Sequence, residues 1–204
     1  KGVRQSMTPF QEIERDLEWR ESEMAVLRIL LAADNISDRE KLVLFRAAWA
    51  LLYAHYEGFC KFALTVYFDA LQNTGKLCKN LPAKTQAFAL NNSLKSIRSL
   101  PTPDLISRIL NFEIEFMESA VNFPEVDTEP NLWPNTLGSL LEDADITIES
   151  LSAHNRALAT LVNRRNKIAH GERDMIPEYS YYIGFEDAVK TVMSDLALAI
   201  DEKM

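Results

Sequence analysis

Residues 42 to 70 read LVLFRAAWALLYAHYEGFCKFALTVYFDA. Leu42, Phe45, Trp49, Leu52, Tyr56, Phe59, Ala63, Val66 and Ala70 recur in this stretch in alternating steps of three and four. That is the period of one helix face, sustained from end to end. So long an apolar stripe has to be buried against other helices or against a second subunit. Asn73-Thr74-Gly75 supplies the stop.

Outward from this helix, the rest of the chain also reads as helical. A first helix is predicted from about Pro9 to Ala33, with Thr8 as its cap, Pro9 in its first turn, and Glu12 and Glu14 at its positive end. Ile13, Leu17, Met24, Leu27 and Leu31 form its apolar side, and Asp34 to Asp38 breaks it. Residues 76–147 read as an elaboration. Thr102-Pro103-Asp104 signals a helix through about Ala120, with Leu105, Ile109, Phe112 and Phe116 on its apolar side. The three prolines between Asn122 and Pro134 read as loop, and a short helix is expected over Leu137 to Leu141. A helix from about Ile148 to His170, capped by Thr147, carries the stripe Leu151, Leu158, Leu161, Val162, Ile168 and Ala169. Gly171 is placed as its left-handed stop. A last helix, about Phe185 to Lys203, shows Phe185, Val189, Val192, Leu196 and Ala199 at helical spacing. The expected fold is all-α: a four-helix, up-and-down-type bundle core, with residues 76–147 inserted between core helices two and three. Residues 1–204 are read as one domain.

The bulk numbers fit that reading. The chain has 204 residues, 47% of them apolar and 25% charged, and only six glycines. No apolar run is long enough to span a bilayer and no signal-peptide pattern opens the chain, so a cytoplasmic protein with no membrane partner is expected. The chain opens on Lys1, and Met7 is a candidate natural start. Cys60 and Cys78 read as two reduced thiols rather than a disulfide framework. A net charge of −8 argues against coating of nucleic acid by the whole surface. There is, however, a local basic patch of Arg156, Arg164, Arg165, Lys167 and Arg173, with Glu172 its single acid.

Within that patch lies Arg165-Asn166-Lys167-Ile168-Ala169-His170. Arginine stabilises phosphate charge and histidine moves protons near neutral pH, a pairing suited to phosphodiester chemistry. At 100° per residue, Arg165 projects into the middle of the apolar stripe, where a charge needs a partner or a polar cleft. An internal salt bridge and a phosphate-binding cleft are the two readings. His170 lies about 140° around the helix from Arg165, so a straight helix does not place both on one phosphate, whereas a second copy brought up by a two-fold axis does. Asn166 shares the face of His170 and can orient the imidazole or donate to a phosphate oxygen. The helix dipole favours the protonated form of a histidine at this end, which suits a general acid or, more plainly, a cap. His55 and Glu57 are further candidates on an apolar helix, with His55 equally readable as a satisfied core histidine. His154 reads as a surface residue. No zinc-type spacing, phosphate-binding glycine loop or nucleophile elbow occurs.

These residues resemble the HEPN superfamily, all-helical domains named for higher eukaryotes and prokaryotes nucleotide-binding. Its hallmark is an arginine followed by a polar residue and, after four to six residues, a histidine, near the end of the penultimate core helix. Arg165, Asn166 and His170 match. Leu52 to Phe59, with Arg46 upstream, resembles the second helix of the MAE-type HEPN-like nucleases, and Leu17-Glu18-Trp19-Arg20 resembles their first. The resemblance implies a metal-independent endoribonuclease acting without a cofactor as a homodimer, with two motifs facing one cleft. His170 is then general acid or base, Arg165 stabilises the phosphorane, and Asn166 positions phosphate or histidine. Arg164, Lys167 and Arg173 are expected to contact RNA, and His55 and Glu57 to support the cleft. It also implies a toxin of a toxin–antitoxin, abortive-infection or restriction-linked locus, with an antitoxin protein as partner. The alternative is a non-catalytic HEPN module that dimerises or binds a partner or nucleotide. One departure stands out: relatives controlled by AMP transfer carry a tyrosine two residues after the histidine, where this chain has Glu172.

Overall fold

The computed structural model describes residues 7–33, 35–173 and 178–204. Asp34, in the predicted break after the first helix, lies outside them. The first helix, α1 (Pro9–Leu31), opens with a capping box: Gln11 N–H donates to the Thr8 hydroxyl, and Thr8 N–H donates to the Gln11 side chain. The second, α2 (Asp38–Asn73), repeats the device with Ser37 and Glu40. Each box satisfies N–H groups that a first helical turn leaves without partners. Along α2, Phe45, Trp49, Leu52, Tyr56, Phe59 and Ala63 are buried, while Leu42 is exposed and Val66 half-buried.

The inserted segment contains α3 (Ala83–Arg98), α4 (Thr102–Leu110) and α5 (Pro134–Asp143), and the chain closes with α6 (Glu149–Ala169) and α7 (Tyr179–Asp201). Helix α1 packs on α2 and α7, α2 on α6 and α7, and α6 on α7, so these four surround one core. The Trp49 ring sits in it, edge-on to Tyr182 and Phe185 of α7. Among the described residues no helix is long and apolar enough to cross a membrane. Cys60 and Cys78 are free and buried, and burial pushes both thiols above their usual range.

The insertion is fastened at its neck and along its body. Its neck closes where Leu77 and Ala120 bridge antiparallel, with Val121 N–H donating to the Lys76 carbonyl. Its body is held by Phe68 of α2, whose ring lies 4.8 Å from both Phe88 of α3 and Phe123.

The structure corrects several boundaries. The helix predicted through Ala120 stops at Leu110, and a π-helical turn follows at Glu113–Met117. The Asn111 side chain there donates to the Ser107 carbonyl, a local bond that competes with continued helix. None of the residues of α4 is buried, and Ile106, Ile109 and Leu110 are exposed. Helix α3 has no counterpart in the sequence reading. Helix α6 starts at Glu149 with Ile148 as its cap residue, so Thr147 does not cap it, and Ala169 is exposed rather than in the stripe. Helix α7 begins at Tyr179, well before the predicted Phe185.

Candidate functional site

Helix α6 ends in a Schellman turn. Gly171 has φ +78, its N–H donates to the Ile168 carbonyl, and Glu172 N–H donates to the Lys167 carbonyl. The predicted stop is therefore in place, and the side chain of His170, the C-cap residue, is not needed to make it. His170 is exposed, and its imidazole has no hydrogen-bond partner among the described residues. Asn166 is half-buried one turn before it, and the Asn166 carbonyl accepts the His170 N–H at 2.9 Å. Arg46 of α2 donates to the Glu172 carbonyl and pins the turn from outside.

The two adjacent arginines of α6 have different surroundings. Arg164 is wedged between aromatic rings: its Cζ lies 5.0 Å from the centroids of both Trp49 and Tyr181, and its Nη2 donates to the Tyr181 hydroxyl at 2.9 Å. It ties α6 to α2 and α7. Arg165 lies with Cζ 4.0 Å from the centroid of the Tyr53 ring. It has no carboxylate partner among the described residues, and its Nε is buried without a hydrogen bond. Lys167 Nζ lies 3.9 Å from Glu172 Oε2, and Arg173 is exposed. No contact within the chain joins Arg165 to His170 among the described residues, in keeping with their angle on the helix.

Tyr53 is the residue the sequence reading missed. It is buried on α2, and its hydroxyl donates to Glu57 Oε1 at 2.8 Å and accepts Leu132 N–H at 2.9 Å. Burial raises its pKa above the usual tyrosine value, so the phenol stays protonated. The signal available in sequence was the (i, i+4) spacing of Tyr53 and Glu57, which puts both on one face. Glu57 also borders an open cleft of about 660 Å³, shared with Gly58, Lys61, Thr128 and Glu129. Among the described residues no group of histidine, cysteine and carboxylate side chains is arranged to hold a metal ion.

His55 does not share this cleft. Two residues from Tyr53 and from Glu57, it projects from the opposite side of α2, into the interface with α1. There it is 2% exposed, with Nε2 3.0 Å from Glu23 Oε2, though off the hydrogen-bonding direction, and with Trp19 edge-on to its ring. Beside it Arg20 fills a place in the α1 stripe that the sequence reading left empty. Its Nε lies 2.6 Å from Asp16, and its Nη1 reaches the His55 carbonyl at 3.5 Å. Gly58 makes room for that guanidinium, since a Cβ there would lie 2.9 Å from Arg20 Nη1. Two of the segments that carried the family resemblance thus meet in one buried polar cluster.

This cluster makes stability depend on pH. Burial lowers the His55 pKa; Glu23 pulls against it, Arg20 acts with burial, and Asp16 adds to the opposing pull. The unfolded chain takes up the proton first, near an ordinary value of about 6.5. Stability is therefore fully present above that pH and falls as pH drops through it, with a slope of up to about 1.4 kcal/mol per pH unit. Urea unfolding of wild type and His55→Gln from pH 7.5 to 5 is expected to show a shallower fall in the variant. Parallel curves would remove His55 from the account.

The motif and both resembling segments lie within a single family match. The HEPN_MAE_28990-like HEPN family model matches residues 9–204. Comparison with curated proteins and with solved structures gives no match.

Proposed function

This chain belongs to the HEPN_MAE_28990-like HEPN family, and we propose that it is a metal-independent endoribonuclease that acts as a homodimer of single-domain chains. The observation that carries the reading is Arg165: a guanidinium half-buried toward α2, held by a ring face and matched by no carboxylate among the described residues. An internal salt bridge would have consumed its charge. Without one, the outer N–H groups remain for an anion, and phosphate is the anion a guanidinium fits best.

In the reaction, the ribose 2′-oxygen attacks the adjacent phosphorus as its proton passes to a base, and the bond to the 5′-oxygen breaks as that oxygen gains a proton. The products are a 2′,3′-cyclic phosphate and a 5′-hydroxyl. His170 transfers a proton, Arg165 stabilises the charge on the pentacoordinate phosphorus, and Asn166 orients the imidazole or the phosphate. Lys167 and Arg173, at the exposed end of α6, contact the RNA backbone. DNA, which lacks the 2′-hydroxyl, is not cut. Such an activity suits a toxin of a toxin–antitoxin, abortive-infection or restriction-linked locus, restrained by an antitoxin protein.

Because Arg165 and His170 diverge on one helix, the productive pair is Arg165 of one copy and His170 of the other. Mixing inactive Arg165→Ala and His170→Ala chains under exchange is then expected to restore about one quarter of wild-type cleavage, since half of the random dimers regain one of their two sites. A mixture as inactive as its components would place the pair within one chain.

A further inference from the structure

We propose that Tyr53 is the positioning residue for Arg165, and that the bond from Leu132 N–H to the Tyr53 hydroxyl ties the inserted segment to the motif. Arginine has several rotatable bonds, and one free of carboxylate partners has many rotamers to lose before it can meet a phosphate. The Tyr53 ring removes that freedom from below, with Cζ 4.0 Å from its centroid. A ring face holds a cation without occupying its N–H donors, unlike an acid, so the guanidinium stays available to an anion.

The ring itself is fixed at its far end. Its hydroxyl donates to Glu57 Oε1 and accepts from Leu132 N–H, at 2.8 and 2.9 Å, so it is engaged as donor and as acceptor. Leu132 is fully buried at the end of the 122–133 loop, just ahead of α5. A shift of that loop therefore reaches Arg165 through one hydrogen bond and one ring. This gives residues 76–147 a task at the motif although none of them carries a motif side chain. The neighbouring arginine supports the same reading: Arg164 gives its Nη2 to the Tyr181 hydroxyl, while Arg165 lies against the Tyr53 ring and its hydroxyl with no carboxylate partner among the described residues.

The kinetic part of this proposal rests on the ribonuclease reading, and the spectroscopic part does not. Wild type, Tyr53→Phe, Tyr53→Leu and the control Tyr67→Phe are compared on the RNA that wild type cuts. Tyr67 is a second buried tyrosine of α2, whose hydroxyl donates to the Ala144 carbonyl away from the motif. Tyr53→Phe is expected to lower kcat about tenfold and Tyr53→Leu about a hundredfold, each with KM within about twofold of wild type, because misplacing a group that acts in the transition state costs rate rather than binding. Tyr67→Phe keeps kcat. In parallel, the Arg165 Nε–Hε resonance, assigned by its loss in Arg165→Lys, is expected to be shifted upfield by the ring in wild type. It moves to the position of the other arginines in Tyr53→Leu, and exchanges faster with water in Tyr53→Phe. Folded Tyr53 variants with wild-type kcat, or an Arg165 resonance indifferent to both substitutions, overturn the proposal. If wild type cuts no RNA, the ribonuclease reading fails and the resonance alone decides the role of Tyr53. If Tyr53→Leu does not fold, Tyr53→Phe decides in both measurements.

Discussion

His170→Ala is expected to lower RNA cleavage by about 10²- to 10⁴-fold, the range that a positioned proton-transfer group contributes. Its stability is expected to stay within about 0.5 kcal/mol of wild type. The two expectations separate because of how α6 ends. The stop is made by Gly171 in the left-handed conformation and by backbone bonds to Ile168 and Lys167, while the imidazole is exposed and makes no hydrogen bond among the described residues. Nothing that holds the helix is removed with the side chain. Arg165→Ala is expected to cost about 10²- to 10³-fold, as for loss of one group that stabilises developing charge. The double variant is expected to be no worse than the more damaged single, since residues acting on one transition state are not additive. Single-turnover cleavage alongside thermal unfolding checks each of these. A His170→Ala protein that loses activity only in proportion to a loss of fold would make the histidine a structural residue.

The largest stability effect is expected outside the motif, at Arg28. Glu186 of α7 is 1% exposed, and its Oε1 receives Arg28 Nη2 at 2.5 Å and Arg28 Nε at 3.1 Å. Its Oε2 is buried with no partner, and so is the Tyr182 hydroxyl one turn earlier. Arg28→Met keeps most of the apolar stem and removes the charge, leaving a carboxylate in the α1–α7 interface with nothing to pair it. Leaving the buried Glu186 carboxylate unpaired is expected to cost about 3 kcal/mol, the low end for a broken buried pair because the Arg28 side chain is 38% exposed, and still a large part of the total stability of a domain. Removing both charges is a different matter. Arg28→Met/Glu186→Leu is expected to recover most of the loss, because well-packed apolar residues replace a buried ion pair at little or no cost. Urea unfolding of the two single variants and the double gives the coupling directly. A cost for Arg28→Met of less than about 1 kcal/mol would mean that water reaches Glu186 and that the pair behaves as a surface bridge.

The parts of the fold legible in sequence were those written in local periodicity and capping. Thr8 and Gly171 do what their positions announce, and the α2 stripe from Phe45 to Ala63 is buried as its spacing demands. What stayed hidden depends on distant partners. Helix α3 has Pro82 where a serine or threonine cap would have marked its start, and its interior contains Asn91, Asn92 and Ser93, weak helix formers. It holds because Phe88 meets Phe68 and Phe123, a contact no local window contains. The early start of α7 was masked by Tyr179 to Gly184, which lacks a side-chain cap. At the site, the motif and the divergence of Arg165 from His170 could be read from helix geometry. The environment that holds Arg165 could not, because Tyr53 looks like one more aromatic of the α2 core until Leu132 and Glu57 are seen at its hydroxyl. The family match supports the all-helical reading across residues 9–204, including the inserted segment that the motifs alone did not cover.

The most direct measurement is to incubate the purified protein and its His170→Ala variant with total RNA in excess chelator and to identify the ends produced. Cleavage by wild type is expected to leave 2′,3′-cyclic phosphate and 5′-hydroxyl ends, to disappear in the variant, and to spare DNA of the same sequence. Cleavage that stops with chelator alone, or that persists unchanged in folded His170→Ala, would contradict the proposed reaction.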